Sequence, residues 1–354
     1  MARATQVALL VAISALFGSV GLVQATLRPL PRVAHAWEPV AVPRAPEPAS
    51  GKNLPAPRPV DLDFIGPPAL PLPAEEAVPR SGEAVDVATL ELFGLGVGSG
   101  DLEGSSGNLT TVRGGWKVGL GQYRARGFGF AVELGTEGSF YDYGGGASPV
   151  PGVNDPFNDV YDTHVAARFL QRGAGRLDVY GGLQVGNAGE DAVSIDDSLY
   201  LGGALACRYN ARDDFALIVG FAGLSRFDDS PWILPYIGFD WRVNEDLRLR
   251  TEAAEVHADF RLAEDWELGL EAVYDLRQYR LNDSGPLNHG SVRDEEVRAG
   301  ASLGWRPSEN VLLELVVGKV LWRELRFHDG VAGDLGESEV NGSLYLGLGL
   351  DVGF

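Results

Sequence analysis

The end of the chain alternates without a break. Leu344, Leu346, Leu348, Leu350, Val352 and Phe354 are apolar, and between them lie Tyr345, Gly347, Gly349, Asp351 and Gly353. A period of two with one greasy and one small or polar face is a β-strand. The same alternation recurs upstream: Trp266, Leu268, Leu270, Ala272, Tyr274 and Leu276 oppose Glu267, Gly269, Glu271, Asp275 and Arg277. Val297 to Trp305, Leu177 to Val185, Leu199 to Cys207 and Phe128 to Leu134 follow the same rule. The runs predict about 14 strands: 85–98, 110–121, 128–141, 159–172, 176–187, 197–209, 215–227, 232–242, 247–253, 254–262, 266–281, 292–306, 311–327 and 339–354. The pair within 247–262 is short and reads equally as one strand or as a piece outside the wall, so 12 strands is the alternative. Near Lys319 the alternation slips, which points to a bulge.

Most of these runs exceed the ~5–6 residues of ordinary strands, and ~9–11 tilted residues suffice to cross a bilayer. A closed antiparallel transmembrane β-barrel follows, because closure satisfies every backbone group and leaves no edge in hydrocarbon. The connections agree in parity. Short turns near 122–127, 173–175, 210–214, 243–246, 263–265 and 307–310 alternate with generally longer links at 99–109, 142–158, 188–196, 228–231, 282–291 and 328–338. Membrane barrels place short turns on the periplasmic side and longer loops outside.

The first 83 residues differ. One charge, Arg3, precedes an uncharged run from Ala4 to Leu27 that includes Val7–Phe17 and ends on Val23-Gln24-Ala25. This predicts a signal peptide over 1–25, or cleavage after 36 at Ala34-His35-Ala36. A retained transmembrane helix is the rival reading. Fourteen of the 21 prolines then fall between Pro29 and Pro79, so 26–83 reads as a Pro-rich disordered periplasmic tether. Residues 84–354 form the barrel domain.

Composition narrows the function. A net charge of −20 opposes nucleic-acid binding. One Cys excludes an internal disulfide and a Cys-built metal site. The longer links carry Asp101, Glu103, Asp142, Asp155, Glu190, Asp191, Asp196, Asp228, Asp229, Asp283, Asp329, Asp334 and Glu337 without Lys or Arg. This acidic rim keeps the loops solvated, or attracts cations and weakly binds divalent ions that bridge anionic glycolipid. No other cofactor is expected. Asn154-Asp155-Pro156-Phe157-Asn158-Asp159 lacks EF-hand spacing, so no dedicated metal site is read there.

The terminal Phe354, with apolar residues at every second position back to Leu344, resembles the C-terminal recognition strand of Gram-negative outer-membrane β-barrel proteins. The resemblance covers 84–354 and the signal. It implies the bacterial outer membrane as location, outer-membrane lipids and the barrel assembly machinery as partners, and lipid-facing positions at Leu344, Leu346, Leu348, Leu350, Val352 and Phe354. It names no solute and no functional residue. Trp116, Trp232, Trp241, Trp266, Trp305 and Trp322 read as interfacial anchors.

On the opposite face the alternation places Glu133, Asp178, Arg208, Glu267, Glu271, Asp275, Arg277 and Arg298. These are candidate lumen-lining selectivity residues, either paired filling of a closed barrel or the wall of an aqueous pore. The reading is a passive pore for small solutes with weak cation preference. The alternative is a structural or surface-interaction barrel with no open channel. Gly-x-Ser-x-Gly, His-Glu-x-x-His and Walker motifs are absent, so a catalytic role is not expected. A lipid or ester hydrolase built on His289 with Ser284 or Ser291 is the remaining enzymatic reading. Gly94-Leu-Gly-Val-Gly-Ser-Gly100 lies in a strand with no helix after it, and so is not a phosphate cradle.

Overall fold

A computed structural model describes residues 84–354 except 104–106, 125–126, 146–148, 151–152, 154, 174, 192, 226, 228–230, 253, 284, 288 and 330–332. The signal and tether segments lie outside the described residues. The strands are β1 (Ala84–Asp101), β2 (Asn108–Arg124), β3 (Gly127–Gly144), β4 (Asp159–Arg172), β5 (Leu177–Glu190), β6 (Leu199–Arg212), β7 (Phe215–Leu224), β8 (Trp232–Arg242), β9 (Leu247–Glu252), β10 (Glu255–Arg261), β11 (Trp266–Arg280), β12 (Ser291–Ser308), β13 (Val311–Asp329), β14 (Gly333–Glu339) and β15 (Leu344–Gly353). One short helix, α1 (Ile195–Ser198), precedes β6.

Each strand pairs antiparallel with its sequence neighbour, and β1 closes on β15 from Thr89↔Gly353 to Val97↔Tyr345. β14 and β15 are one wall strand with a break. Both pair with β13 in a single register, Glu324↔Glu339 and Val311↔Val352. Across the break Val340 N–H donates to the Arg323 carbonyl and Val320 N–H to the Ser343 carbonyl. The result is a closed antiparallel barrel of 14 strands.

The segment 247–262 forms two strands, six and seven residues long, paired as a hairpin within the wall, as the 14-strand reading has it. Two expectations change. The stretch 328–338 is not a loop but mostly β14. Its Gly, Asp and Ser residues look like a turn, yet the free outer edge of β13 offers a ladder that takes them up, with Leu335 packed on the buried cluster below. The bulge lies at Leu321, two residues past Lys319, where Val297↔Trp322 is followed by Arg298↔Val320.

The barrel is greasy on the outside. Leu120, Phe128, Leu183, Leu201, Phe221, Val317 and Leu348 are all exposed. Soluble monomers rarely expose apolar patches beyond a few hundred Å². A continuous band of such residues around a closed barrel is the surface of a membrane-embedded one. At its turn end, Trp266 stacks on Trp305 and Phe215 meets Trp241 edge-on. On β15, Leu344, Leu346, Leu348 and Phe354 are exposed, Leu350 and Val352 half-buried, and the alternate residues Tyr345 to Gly353 buried. β1 reverses the usual split. Its register puts Phe93, Leu95 and Val97 on the lumen side with Tyr345, Gly347 and Gly349, so Gly94 and Gly96 face outward.

Candidate functional site in the lumen

The alternation that makes the outside apolar delivers charge to the inside. Halfway up the barrel, toward the loop end, those charges meet. Arg277, Asp275 and Arg298 come from β11 and β12, at positions picked out in the sequence. The structure joins to them Arg113 of β2, Glu137 of β3, Asp294 and Glu296 of β12 and Arg323 of β13. Arg113 donates to Glu296 at 2.7 Å and to Asp294 at 3.0 Å. Arg323 grips Asp294 with two bonds of 2.8 and 2.7 Å, and donates to the Thr111 hydroxyl at 2.9 Å. Arg298 bonds Glu296 at 2.9 Å and Asp275 at 3.1 Å. Arg277 reaches Asp275 and, at 3.2 Å, Glu137. Tyr141 donates to Asp294 at 2.8 Å.

The four arginines are at most 1 % exposed. A wide aqueous pore would leave them wet, so this level of the lumen is filled. Opposed guanidinium and carboxylate groups balance, and buried charges persist only with such pairing and hydrogen bonding.

Above the network the loop end closes with apolar residues. Phe157, Leu281 and Leu287 fold in from the loops between strands onto Tyr141, Leu325 and Phe327. Phe157 stands 4.6 Å from Tyr141 and 6.0 Å from Phe327, ring centre to ring centre. Below the network Tyr345 lies across Gly300 and Gly318, and a Cβ at Gly318 would come within 2.6 Å of its ring. Glycine is required there by this approach.

The turn-end half of the lumen is more open. Lys117 and Glu91 pair at 3.2 Å, and Arg168 and Glu133 at 2.8 Å, with their side chains 13–15 % exposed. On the same face Gly182 and Ala204 carry no large side chain, while at Gly119 the Thr89 hydroxyl takes the space a Cβ would fill.

The remaining candidates sit in separate pairs rather than one site. Glu133 also faces His164 at 3.6 Å. Asp178 accepts from the Gly173 N–H at 3.2 Å at the turn end. Arg208 and Arg248 share Asp240. Glu267 faces Arg306 at 3.6 Å, and Glu271 accepts from the Tyr345 hydroxyl at 2.9 Å.

The acidic rim is less uniform than its composition. Asp101, Glu190 and Asp329 end strands β1, β5 and β13, and Asp334 and Glu337 lie within β14 rather than in a loop. Glu337 pairs with Arg326 at 2.8 Å, because the β13–β14 ladder brings a strand arginine up to the rim. Glu190 accepts from the Asn282 N–H at 2.8 Å. The Glu103 N–H donates to the Glu339 carbonyl at 2.9 Å, and Asp191 is exposed. Asp228 and Asp229 lie outside the described residues. No group of acidic, His or Cys residues arranged to hold a metal occurs among the described residues.

Trp232 departs from its role as an anchor: it stacks on the Arg293 guanidinium at 5.2 Å. His289, with φ of 52°, meets Asp283 at 2.7 Å in an exposed loop. Ser291 is buried in the β11–β12 ladder, paired with Arg280 and His328, and Ser284 lies outside the described residues.

These features define a transmembrane β-barrel with a charged, partly filled lumen. No family model and no curated protein matches the chain. Among solved structures it is similar to the KdgM porin in complex with disordered oligogalacturonate, at 12 % identity over 75 % of this chain and 99 % of that one, TM-score 0.32. An outer-membrane channel from Pseudomonas putida F1 is similar at 10 % identity over 78 % and 99 %, TM-score 0.43. The Ralstonia pickettii toluene transporter TbuX is similar at 10 % identity over 75 % and 89 %, TM-score 0.39. The likeness is one of barrel architecture, and no residue role passes from these proteins to this chain.

Proposed function

We propose that this chain is an outer-membrane channel for small solutes whose loop end is shut in the present conformation. The carrying observation is the split lumen. A turn-end vestibule keeps charged, partly exposed walls, while a neutral buried network and an aromatic cap block the way above. A purely structural barrel has no need of the vestibule. The vestibule acids Glu91, Glu133, Asp240, Asp259 and Glu267 are each matched by Lys117, Arg168, Arg208 with Arg248, Arg250 and Arg306, so the weak preference for cations rests on the acid-rich links at the loop end. Divalent ions at the rim are carried as weak, exchangeable partners.

In a planar bilayer, the folded wild-type protein should conduct rarely, and Phe157→Ala should raise the open probability by removing the ring that packs on Tyr141 and Phe327. Under a KCl gradient the reversal potential should favour K⁺. Silence of both proteins, with folding verified by heat-modifiability, would overturn the channel and leave the structural reading.

Membrane lipid is the solvent of the outer band, and the assembly machinery is the proposed reader of the last strand. Deleting Phe354 should leave protein unassembled in the periplasm, measured as loss of the heat-modifiable form and gain of protease sensitivity. Normal assembly without Phe354 would remove that partner.

A further inference from the structure

One stretch of the wall has no ladder. β8 pairs with β9 only at Asp240, Trp241 and Arg242. The Thr251 hydroxyl then closes that ladder by accepting from the Phe239 N–H at 2.7 Å. On the other side the β10–β11 ladder ends just past Glu255↔Val273, with the Tyr274 N–H donating to the Ala254 carbonyl at 3.1 Å. Beyond these points β8 and β11 run on toward the loop end with no strand between them among the described residues, because the β9–β10 hairpin is too short. At ~3.4 Å per residue and a tilt of ~40°, seven residues rise about 18 Å, short of a ~25 Å apolar band. Pro235 sits on the free edge of β8, where its missing N–H leaves no ladder bond unmade.

Overlap closes this gap. Trp232 is on the lumen side of β8, in phase with Tyr236 and Asp240, yet it stacks on Arg293. Arg293 is on the outer side of β12, out of phase with the lumenal Asp294 and Glu296. The Trp232 ring on the inner side of β8 therefore reaches the outer side of β12, where Arg293 is buried beside Leu276 and Gln278. At the tip of β11, Arg280 makes one parallel bridge to Gly189 of β5, and the Asn282 N–H donates to Glu190. Parting this seam breaks few backbone bonds, whereas parting any other pair of wall strands breaks a ladder in hydrocarbon.

The surroundings are apolar on both sides. Inside, Tyr180, Tyr236, Ile218, Leu170 and Ala206 cluster, with the two tyrosine hydroxyls 3.2 Å apart. Outside, Ile233 and Ile237 are 75 % and 52 % exposed, and Leu234 on the lumen side of β8 is also exposed.

We propose that the β8–β11 seam is a lateral portal, through which small apolar or amphipathic molecules pass between the lumen and the outer leaflet. The portal rests on the channel reading above and adds to it a substrate class and a route. Such molecules avoid the buried ion network, which offers them no favourable contact. They meet the tyrosine cluster on one side and lipid on the other.

The test uses the full chain expressed in an outer membrane, with Cys207→Ser as background and Trp232→Cys with Arg293→Cys across the overlap. Entry of the apolar dye 1-N-phenylnaphthylamine is followed by fluorescence. The unlocked protein should speed entry over cells lacking it. A reversible bis-methanethiosulfonate linker should return the rate to that of cells lacking it, and reductant should restore it. Trp232→Ala, which loosens the overlap, should speed entry further. Ion conductance of the same cysteine pair in the Phe157→Ala background should not respond to the linker. Dye entry that ignores both the linker and Trp232→Ala, with conductance intact, overturns the portal alone. Loss of dye entry and conductance together overturns the channel reading. If the cysteine pair does not assemble, Trp232→Ala decides: faster entry supports the portal and an unchanged rate overturns it.

Discussion

Arg113→Met should lower the stability of the assembled barrel by roughly 3–5 kcal/mol, the range for removing one partner of a buried ion pair. Arg113 is the contribution of β2 to a network otherwise built from β3, β11, β12 and β13, and it neutralises Glu296 and Asp294 from across the lumen. Its loss leaves those carboxylates with Arg298, Arg323 and the neutral Tyr141 hydroxyl, and with an excess negative charge where water does not reach. Methionine matches the volume but not the charge, so the cost is electrostatic rather than a cavity. The measurement is urea unfolding in lipid vesicles, followed by tryptophan fluorescence and heat-modifiability. Arg113→Met with Glu296→Gln should recover part of the loss, since the second change removes the uncompensated charge. A single variant as stable as wild type would show that water enters the network and that the lumen is not filled at this level.

The position of this network shows what was legible in the chain. The wall itself was plain, because lipid outside and charge or glycine inside impose a period of two on nearly every strand. Asp275, Arg277 and Arg298 lie in clean alternations, so their inward direction could be read. Asp294 and Glu296 stand in Arg293-Asp294-Glu295-Glu296, where both faces are charged and periodicity is silent. Of the outward pair, Arg293 lies against Trp232, a contact between strands far apart in sequence, and Glu295 accepts from the Tyr274 hydroxyl at 2.9 Å. Arg323 follows the bulge at Leu321, which shifts its phase. Arg113 is an isolated charge among Thr, Val and Gly, and only its lumenal neighbours give it a role.

The rim failed for a related reason. Acid counts along 328–338 described a loop, but the hydrogen-bonding capacity of β13 beyond Lys319 made the segment a strand and brought Arg326 to Glu337. The seam between β8 and β11 was foreshadowed only by the brevity of 247–262 and by Pro235 within an otherwise apolar strand. Chain length measured the hairpin, and three-dimensional overlap determined what its shortness does to the wall.

Leu348→Arg should cost about 2–4 kcal/mol if the outer band faces lipid, the range for a cation at the bilayer midplane of a barrel. Leu348 is outward and exposed, between Gly94 of β1 and Leu315 of β13, midway along the run from Leu344 to Phe354. On a water-facing surface the same change would be neutral or favourable, since it replaces an exposed leucine by a solvated charge. The sign of the effect therefore separates the two environments without any transport assay. Depth supplies the control: Leu344→Arg lies beside the strand break near the loop end, where the penalty falls toward ~0–1 kcal/mol. Equal, small effects at both positions would overturn the membrane band. A large effect at Leu348 and a small one at Leu344, from unfolding titrations in vesicles, fixes the bilayer midplane on β15. The β9–β10 hairpin, rising about 18 Å, stops short of the loop-side edge of a ~25 Å band, so the same pair of variants also measures how much of the seam lies in lipid.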